Sequence, residues 1–120
     1  MIWGEGEWEG DEYVGEFFKD ERTGKGIYTS ANGDRYVGEF LNGESHGQGT
    51  QTWNYGDKYV GNWVNGLRTG KGIYTWANGD KYEGGWLNDE LHGQGTYTWE
   101  DGESWSGIWF NGEKVKKIRI

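Results

Sequence analysis

The run Gly66-Leu67-Arg68-Thr69-Gly70-Lys71-Gly72 is the segment of this chain most suggestive of chemistry, because it looks like a phosphate-binding loop. Such a loop needs four residues between its first two glycines and a Ser or Thr after the lysine to hold magnesium. Here the spacing is one residue short and Gly72 occupies the Ser/Thr place. The same block returns at Thr23-Gly24-Lys25-Gly26, so it reads as a structural turn. His46 and His92 are the only histidines and stand 46 residues apart, too far to share one ion if neighbouring segments are antiparallel strands. Each reads as an imidazole beside a turn. With no cysteine there is no thiolate ligand or nucleophile, and no Ser-His-Asp set or carboxylate pair stands out from the background. The expectation is a non-enzyme with no catalytic residue, no cofactor and no metal.

What must position these residues follows from composition. The 120 residues suit one domain, and they include 24 Gly, 9 Trp, 8 Tyr and no Pro, with a net charge of -8. Leu, Ile, Val and Phe number only 19, a level that with high net charge suggests disorder, yet 18% of the chain is aromatic. Burial has moved from aliphatic to aromatic side chains, so a folded chain with an aromatic core is expected. The acidic balance argues against nucleic acid and against anionic membrane surfaces. No apolar run approaches the ~20 residues of a membrane helix and no secretory leader is apparent, which gives a cytoplasmic expectation.

A period of 23 residues runs through the chain: Tyr13-Val14-Gly15-Glu16-Phe17 returns as Tyr36-Val37-Gly38-Glu39-Phe40, Tyr59-Val60-Gly61-Asn62-Trp63, Tyr82-Glu83-Gly84-Gly85-Trp86 and Trp105-Ser106-Gly107-Ile108-Trp109. Between these runs lie Gly24-Lys25-Gly26, Gly47-Gln48-Gly49, Gly70-Lys71-Gly72 and Gly93-Gln94-Gly95. Thr-Gly-Lys-Gly-Ile alternates with His-Gly-Gln-Gly-Thr at 23, 46, 69 and 92, a superperiod that reads as ancestry. Period-2 alternation makes both blocks strands, with Tyr, Gly and Phe or Trp on one face and Val, Ile, Lys, Glu and Thr on the other. A turn near Gly43 and Glu44 pairs Tyr36 with Gln51, Gly38 with Gly49 and Phe40 with Gly47. Its counterpart pairs Tyr59 with Tyr74, Gly61 with Gly72 and Trp63 with Gly70. A three-residue loop ending at Gly33 or Gly79 pairs Tyr28 with Tyr36 and Gly26 with Gly38. The result is an all-β, elongated, curved, single-layer antiparallel meander of hairpins. A row of glycines forms a crease over which rings can lie.

The ends are atypical, as a finite array requires. Ile2 to Trp8 reads as a leading strand, and the lysine-rich 113–120 as a capping strand with Ile118 in the crease position and Ile120 in the tyrosine position. One domain spans 1–120, with a partial repeat or cap at 1–12, repeats at 13–112 and the cap at 113–120. About eleven strands follow.

Tyr-x-Gly-x-Trp, Asn-Gly, His-Gly-x-Gly-x-Tyr and Asp/Asn-Gly-x-x-Tyr at this spacing resemble the MORN repeat, most fully at Tyr82 to Asn88 with His92 to Tyr97. Thr23 and Thr69 depart from the pattern, which has His before Gly. The resemblance implies a curved β array that serves as an interaction or scaffold module. Some members take a helical or extended partner along a grooved aromatic face, some are linked to phosphoinositide-rich membranes, and some dimerise through terminal repeats.

The functional expectation is therefore a non-catalytic protein-protein interaction module. It would bind a peptide or helical segment through Tyr36, Phe40, Tyr59, Trp63, Tyr82, Trp86 and Trp109, since interface centres are rich in Trp and Tyr. Glu16, Glu39, Asp57 and Asp80 would steer a basic or amphipathic partner. The alternatives are homodimeric self-assembly through the terminal strands, with Lys114 to Arg119 meeting an acidic neighbour, binding of phospholipid, which the net charge disfavours, and binding of a small ligand.

Overall fold

The structure, a computed structural model, describes residues 2–8 and 10–117, with side chains from Gly10 to Lys117. Eleven strands form one antiparallel sheet in chain order, a continuous meander. They are β1 Ile2–Trp8, β2 Asp11–Phe18, β3 Glu21–Thr29, β4 Arg35–Leu41, β5 Glu44–Thr52, β6 Lys58–Val64, β7 Leu67–Thr75, β8 Lys81–Leu87, β9 Glu90–Thr98, β10 Ser104–Phe110 and β11 Glu113–Lys117. The principal extents are 50 × 24 × 18 Å, so the array is elongated.

Two kinds of turn alternate. Between β4 and β5, Leu41 pairs with Glu44 across Asn42-Gly43, whose φ angles are +50° and +84°. Two positive φ values make this a type I′ turn, whose twist matches that of the strands and favours Asn-Gly. Between β3 and β4, the Ser30 amide donates to the Asp34 carbonyl at 2.8 Å and the Gly33 amide to the Ser30 carbonyl at 2.9 Å. That is the expected three-residue loop, with Gly33 at φ +98°.

The register agrees with the sequence at the tyrosine and glycine rows: Tyr36 opposite Gln51, Gly38 opposite Gly49, Tyr59 opposite Tyr74, Gly61 opposite Gly72 and Tyr28 opposite Tyr36. It departs nearer the type I′ turns. Phe40 pairs with Ser45 rather than Gly47, and Trp63 with Arg68 rather than Gly70. The turn is centred on Asn42-Gly43 rather than on Gly43 and Glu44, and a bulge around Gly47 absorbs the excess residues of β5. The Gln48 amide in that bulge is satisfied by the Glu39 carboxylate at 2.8 Å, and the Lys25 amide likewise by Glu16 at 2.7 Å.

At the ends, β1 continues the crease with Gly4 opposite Gly15. In the last hairpin Lys117 takes the crease place opposite Gly107 expected for Ile118, because a bulge beside Ile108 and Trp109 changes the count. The expectation for Ile120 concerns a residue outside those described.

Candidate interaction face

The aromatic face is built in two tiers. In the deep tier, each tyrosine of the first strand of a hairpin wedges edge-on between two rings of the next row. Tyr13 meets Phe17 and Phe40 at 5.0 and 5.1 Å, and Tyr36 meets Phe40 and Trp63 at 5.0 and 5.4 Å. Tyr59 meets Trp63 and Trp86 at 5.2 Å each, and Tyr82 meets Trp86 and Trp109 at 5.5 Å each. The interplanar angles lie near perpendicular, where ring quadrupoles attract and each pair adds about 0.5–1.5 kcal/mol beyond burial. The tyrosine hydroxyls reach past the crease to the carbonyls of Glu16, Glu39, Asn62 and Gly85, at 2.8 to 3.0 Å. The indole N–H groups of Trp63, Trp86 and Trp109 donate to the crease carbonyls of Gly49, Gly72 and Gly95 at 3.2 to 3.3 Å.

All seven rings singled out from the sequence belong to this tier. Tyr36, Phe40, Tyr59, Trp63, Tyr82, Trp86 and Trp109 are buried, with Tyr59 and Tyr82 fully enclosed. Burial pushes the Tyr59 and Tyr82 phenols up to about 12 and raises that of Tyr36 further, against the lowering effect of its hydrogen bonds.

The outer tier was not singled out. Trp53, Trp76 and Trp99 recur at the 23-residue step just past the ends of β5, β7 and β9 and stay partly exposed. They alternate with Tyr74 and Tyr97 in one chain of ring contacts: Trp53 to Tyr74 5.4 Å, Tyr74 to Trp76 4.6 Å, Trp76 to Tyr97 5.1 Å and Tyr97 to Trp99 5.0 Å. Exposed Tyr55 stacks on Trp53 at 6.4 Å. From the other side of the crease, Arg68 lies over Trp53, Tyr59, Tyr74 and Trp86 at 4.9 to 5.9 Å, and its Nε pairs with Asp89 at 3.0 Å. Arg22 covers Tyr13, Tyr28 and Phe40, and Lys114 covers Trp99 and Trp105. These cations recur every 46 residues, a second expression of the superperiod.

The carboxylates assigned to steering have internal work. Asp57 is buried and accepts from the Tyr74 hydroxyl at 2.6 Å and the Ala77 amide at 2.8 Å. Asp80 does the same with Tyr97 at 2.7 Å and Glu100 at 2.9 Å. Asp11 accepts from Tyr28 and Ala31, which hold its carboxyl below the usual range, the tyrosine hydroxyl contributing most. Together they fasten each loop to the next. Glu16 and Glu39 accept from the bulge amides, Glu39 while still exposed, and further exposed acidic charge lies at Glu12, Asp20, Glu21, Glu44, Glu83, Glu90, Glu100, Asp101, Glu103 and Glu113.

The opposite face carries a second apolar feature. Phe18, Leu41, Val64, Leu87 and Phe110 recur at the 23-residue step and are 40–57% exposed, and Val14, Val37 and Val60 form a parallel row. The alternation of the strands was the signal for both rows. Between them the crease opens a cavity of about 580 Å³ beside Val60, Lys71, Ile73 and Thr96.

His46 and His92 lie at the bulges, each with a buried Nδ1 that no group satisfies, and the His92 ring sits 5.3 Å from Phe110. Among the described residues, no three His, Asp or Glu side chains gather as metal ligands would, and no helix is long and apolar enough to cross a membrane.

A search of curated proteins returned no match to the chain. The MORN repeat family model matches residues 13–35, 36–58, 59–81 and 82–104, with each match beginning at the wedging tyrosine of a hairpin. Such repeats are protein- and membrane-interaction modules and not typically catalytic, and an aromatic cluster of this kind fits a binding surface. With four tandem matches over residues 13–104 falling on the hairpins of one meander, the chain belongs to the MORN-repeat family.

Proposed function

We propose that this chain is a non-catalytic interaction module that takes a peptide or helical segment of another protein across its aromatic face. The observation that carries the reading is the outer rail of Trp53, Trp76 and Trp99. Each of the three repeats from 36 to 104 presents one partly exposed indole, packed against neighbouring tyrosine rings. The seven deep rings from Tyr36 to Trp109 are then the floor beneath the site, with Tyr59 and Tyr82 fully enclosed and holding the outer rings in place rather than touching a partner. Rigid, partly exposed Trp and Tyr rings offer large contact area at small entropic cost, which is why interface centres favour them. The net charge of -8 and the exposed loop carboxylates favour a basic or amphipathic partner. Residues 1–120 act as one unit in this reading, with 1–12 and 113–120 flanking the repeats at 13–112.

The test is Trp76→Ser, which installs the residue the chain itself uses two steps earlier in this row, at Ser30. In titrations with fluorescein-labelled basic amphipathic peptides, the variant is expected to keep its melting temperature within a few degrees and lose at least ten-fold in affinity. Unchanged affinity would contradict the reading.

Homotypic assembly is a second reading, favoured by the exposed apolar rows on the opposite face and by the open edge of β11. Light scattering before and after removal of residues 114–120 tests the terminal-strand form of it. A dimer that dissociates on truncation supports it, and a monomer throughout removes it.

A further inference from the structure

One repeat departs from the others in a coordinated way. The four rings beneath Arg68 are Trp53, Tyr59, Tyr74 and Trp86. One repeat later the same places hold Trp76, Tyr82, Tyr97 and Trp109, with Leu91 in place of the arginine. One repeat earlier they hold Ser30, Tyr36, Gln51 and Trp63, with Ser45 in place of the arginine. The buried floor is kept while an outer tryptophan, an outer tyrosine and the covering side chain are all exchanged for small or polar groups. The rail of rings that begins at Trp53 stops there. A cavity of about 350 Å³ stands at this place, bounded by Arg22, Tyr28, Tyr36, Phe40, Ser45 and Gln51.

We infer that this notch in the second hairpin repeat is the anchor pocket for a single aromatic side chain, Trp or Tyr, presented by the partner. The inference rests on the proposed peptide-binding role of the aromatic face and names what that face recognises. The chain's own neighbouring repeats show what fits, because in the places of Gln51 and Ser45 they carry an aromatic ring with a large side chain, Tyr74 with Arg68 over it and Tyr97 with Leu91. The floor offers the Tyr36 and Phe40 rings, set edge to face at 5.0 Å, as an apolar seat. On the wall, the Arg22 guanidinium lies 4.9 Å over Tyr28 and 5.4 Å over Phe40, placed to cover an incoming ring as Arg68 covers Trp86. Gln51 supplies an amide for an indole N–H or a phenol O–H, which selects Trp and Tyr over Phe. Anchors of this kind, one large ring in a preformed pocket, carry a large share of the energy of an interface.

The probe is N-acetyl-tryptophan amide, titrated into the full ¹⁵N-labelled chain and into the doubly substituted S45L/Q51Y chain, which borrows the residues found at Leu91 and Tyr97. The expected result is a saturable amide shift confined to residues around Ser45 and Gln51 in the wild type. It should be absent in the filled variant, which should melt several degrees higher because the notch is packed. Shifts spread evenly over the repeats, or retained in the filled variant, overturn the inference. If the double variant fails to fold, Gln51→Tyr alone carries the same comparison.

A Trp-bearing basic peptide then separates this inference from the reading beneath it. Binding to the filled variant weakened ten-fold or more supports the notch, whereas equal binding to both chains overturns the notch and leaves the interaction role standing. A local shift with the amide but no binding of any peptide supports the notch and counts against that role.

Discussion

Tyr59 lies over Gly72 of the neighbouring strand, its ring and hydroxyl filling the space that a side chain at position 72 would occupy. The same relationship joins Tyr36 to Gly49 and Tyr82 to Gly95. Gly72→Ala therefore has no cheap escape, since the ring is itself wedged between Trp63 and Trp86. We expect a loss of about 3 kcal/mol or more. Gly102→Ala has nothing within 4 Å and only a φ of +94° to object, so about 1 kcal/mol is expected. Urea denaturation of the two variants checks the contrast. Equal losses would mean that backbone conformation rather than the overlying ring makes glycine necessary.

The aspartate fasteners grade in the same way. Asp57→Ala leaves the buried Tyr74 hydroxyl and the Ala77 amide without their acceptor, at an expected cost of about 2–4 kcal/mol. Asp34 holds the Asn54 amide at 2.8 Å, but Gln51 stands where its tyrosine partner would be, so Asp34→Ala should cost about 1 kcal/mol. Thermal melts of both variants give the order, and a larger loss at Asp34 would refute it.

Two type I′ turns use a residue with a side chain where the others use glycine: Asp20 at φ +66° and Asp89 at φ +73°. Asp20→Gly should raise stability by about 0.5–1 kcal/mol by removing the left-handed penalty. Asp89→Gly should lower it, because the Asp89 carboxylate accepts from the Arg68 amide at 2.8 Å and from Arg68 Nε at 3.0 Å. Melting temperatures that move in the same direction would contradict this account.

The buried phenols make the fold sensitive to alkali. Tyr59, Tyr82 and Tyr97 are raised to about 12, each chiefly by burial, from an ordinary value of 10.0. A phenol whose folded value is raised contributes stability that is complete below pH 10 and is lost as pH rises towards 12, because the unfolded chain gives up the proton first. Melting temperature should hold steady from pH 8 to about 10 and fall steeply above it. Tyrosinate absorbance at 295 nm should rise in step with unfolding. Full ionisation of all eight tyrosines near pH 10 with the fold intact would show that the deep tier is open to solvent.

Much of this was legible because two periodicities lock together. The step of 23 aligns Tyr36, Tyr59 and Tyr82, and strand alternation puts Gly38, Gly61 and Gly84 on the same face, so the register of those rows was overdetermined. Phe40 opposite Ser45 was not legible from alternation, because a bulge changes the count without disturbing the pattern on either side. The tiers were hidden for a different reason. Trp53 and Trp63 are both aromatic positions on the 23-residue step, and only the side-chain packing decides which is floor and which is rim. Asp57 and Asp80 misled for the same reason: a carboxylate in a polar loop reads as surface until the Tyr74 and Tyr97 hydroxyls 17 residues later are seen to need acceptors.

The central claim is that a partner meets the outer rings of a face whose inner rings are core. It is tested most directly by the indole N–H resonances of the ¹⁵N-labelled chain during titration with a basic amphipathic peptide carrying one Trp. The account predicts that the signals of Trp53, Trp76 and Trp99 move on binding. Those of Trp63, Trp86 and Trp109, tied to Gly49, Gly72 and Gly95, should stay within a fraction of that change. Binding that leaves the outer three unmoved, or shifts only residues of the Phe18 to Phe110 row on the opposite face, would contradict it.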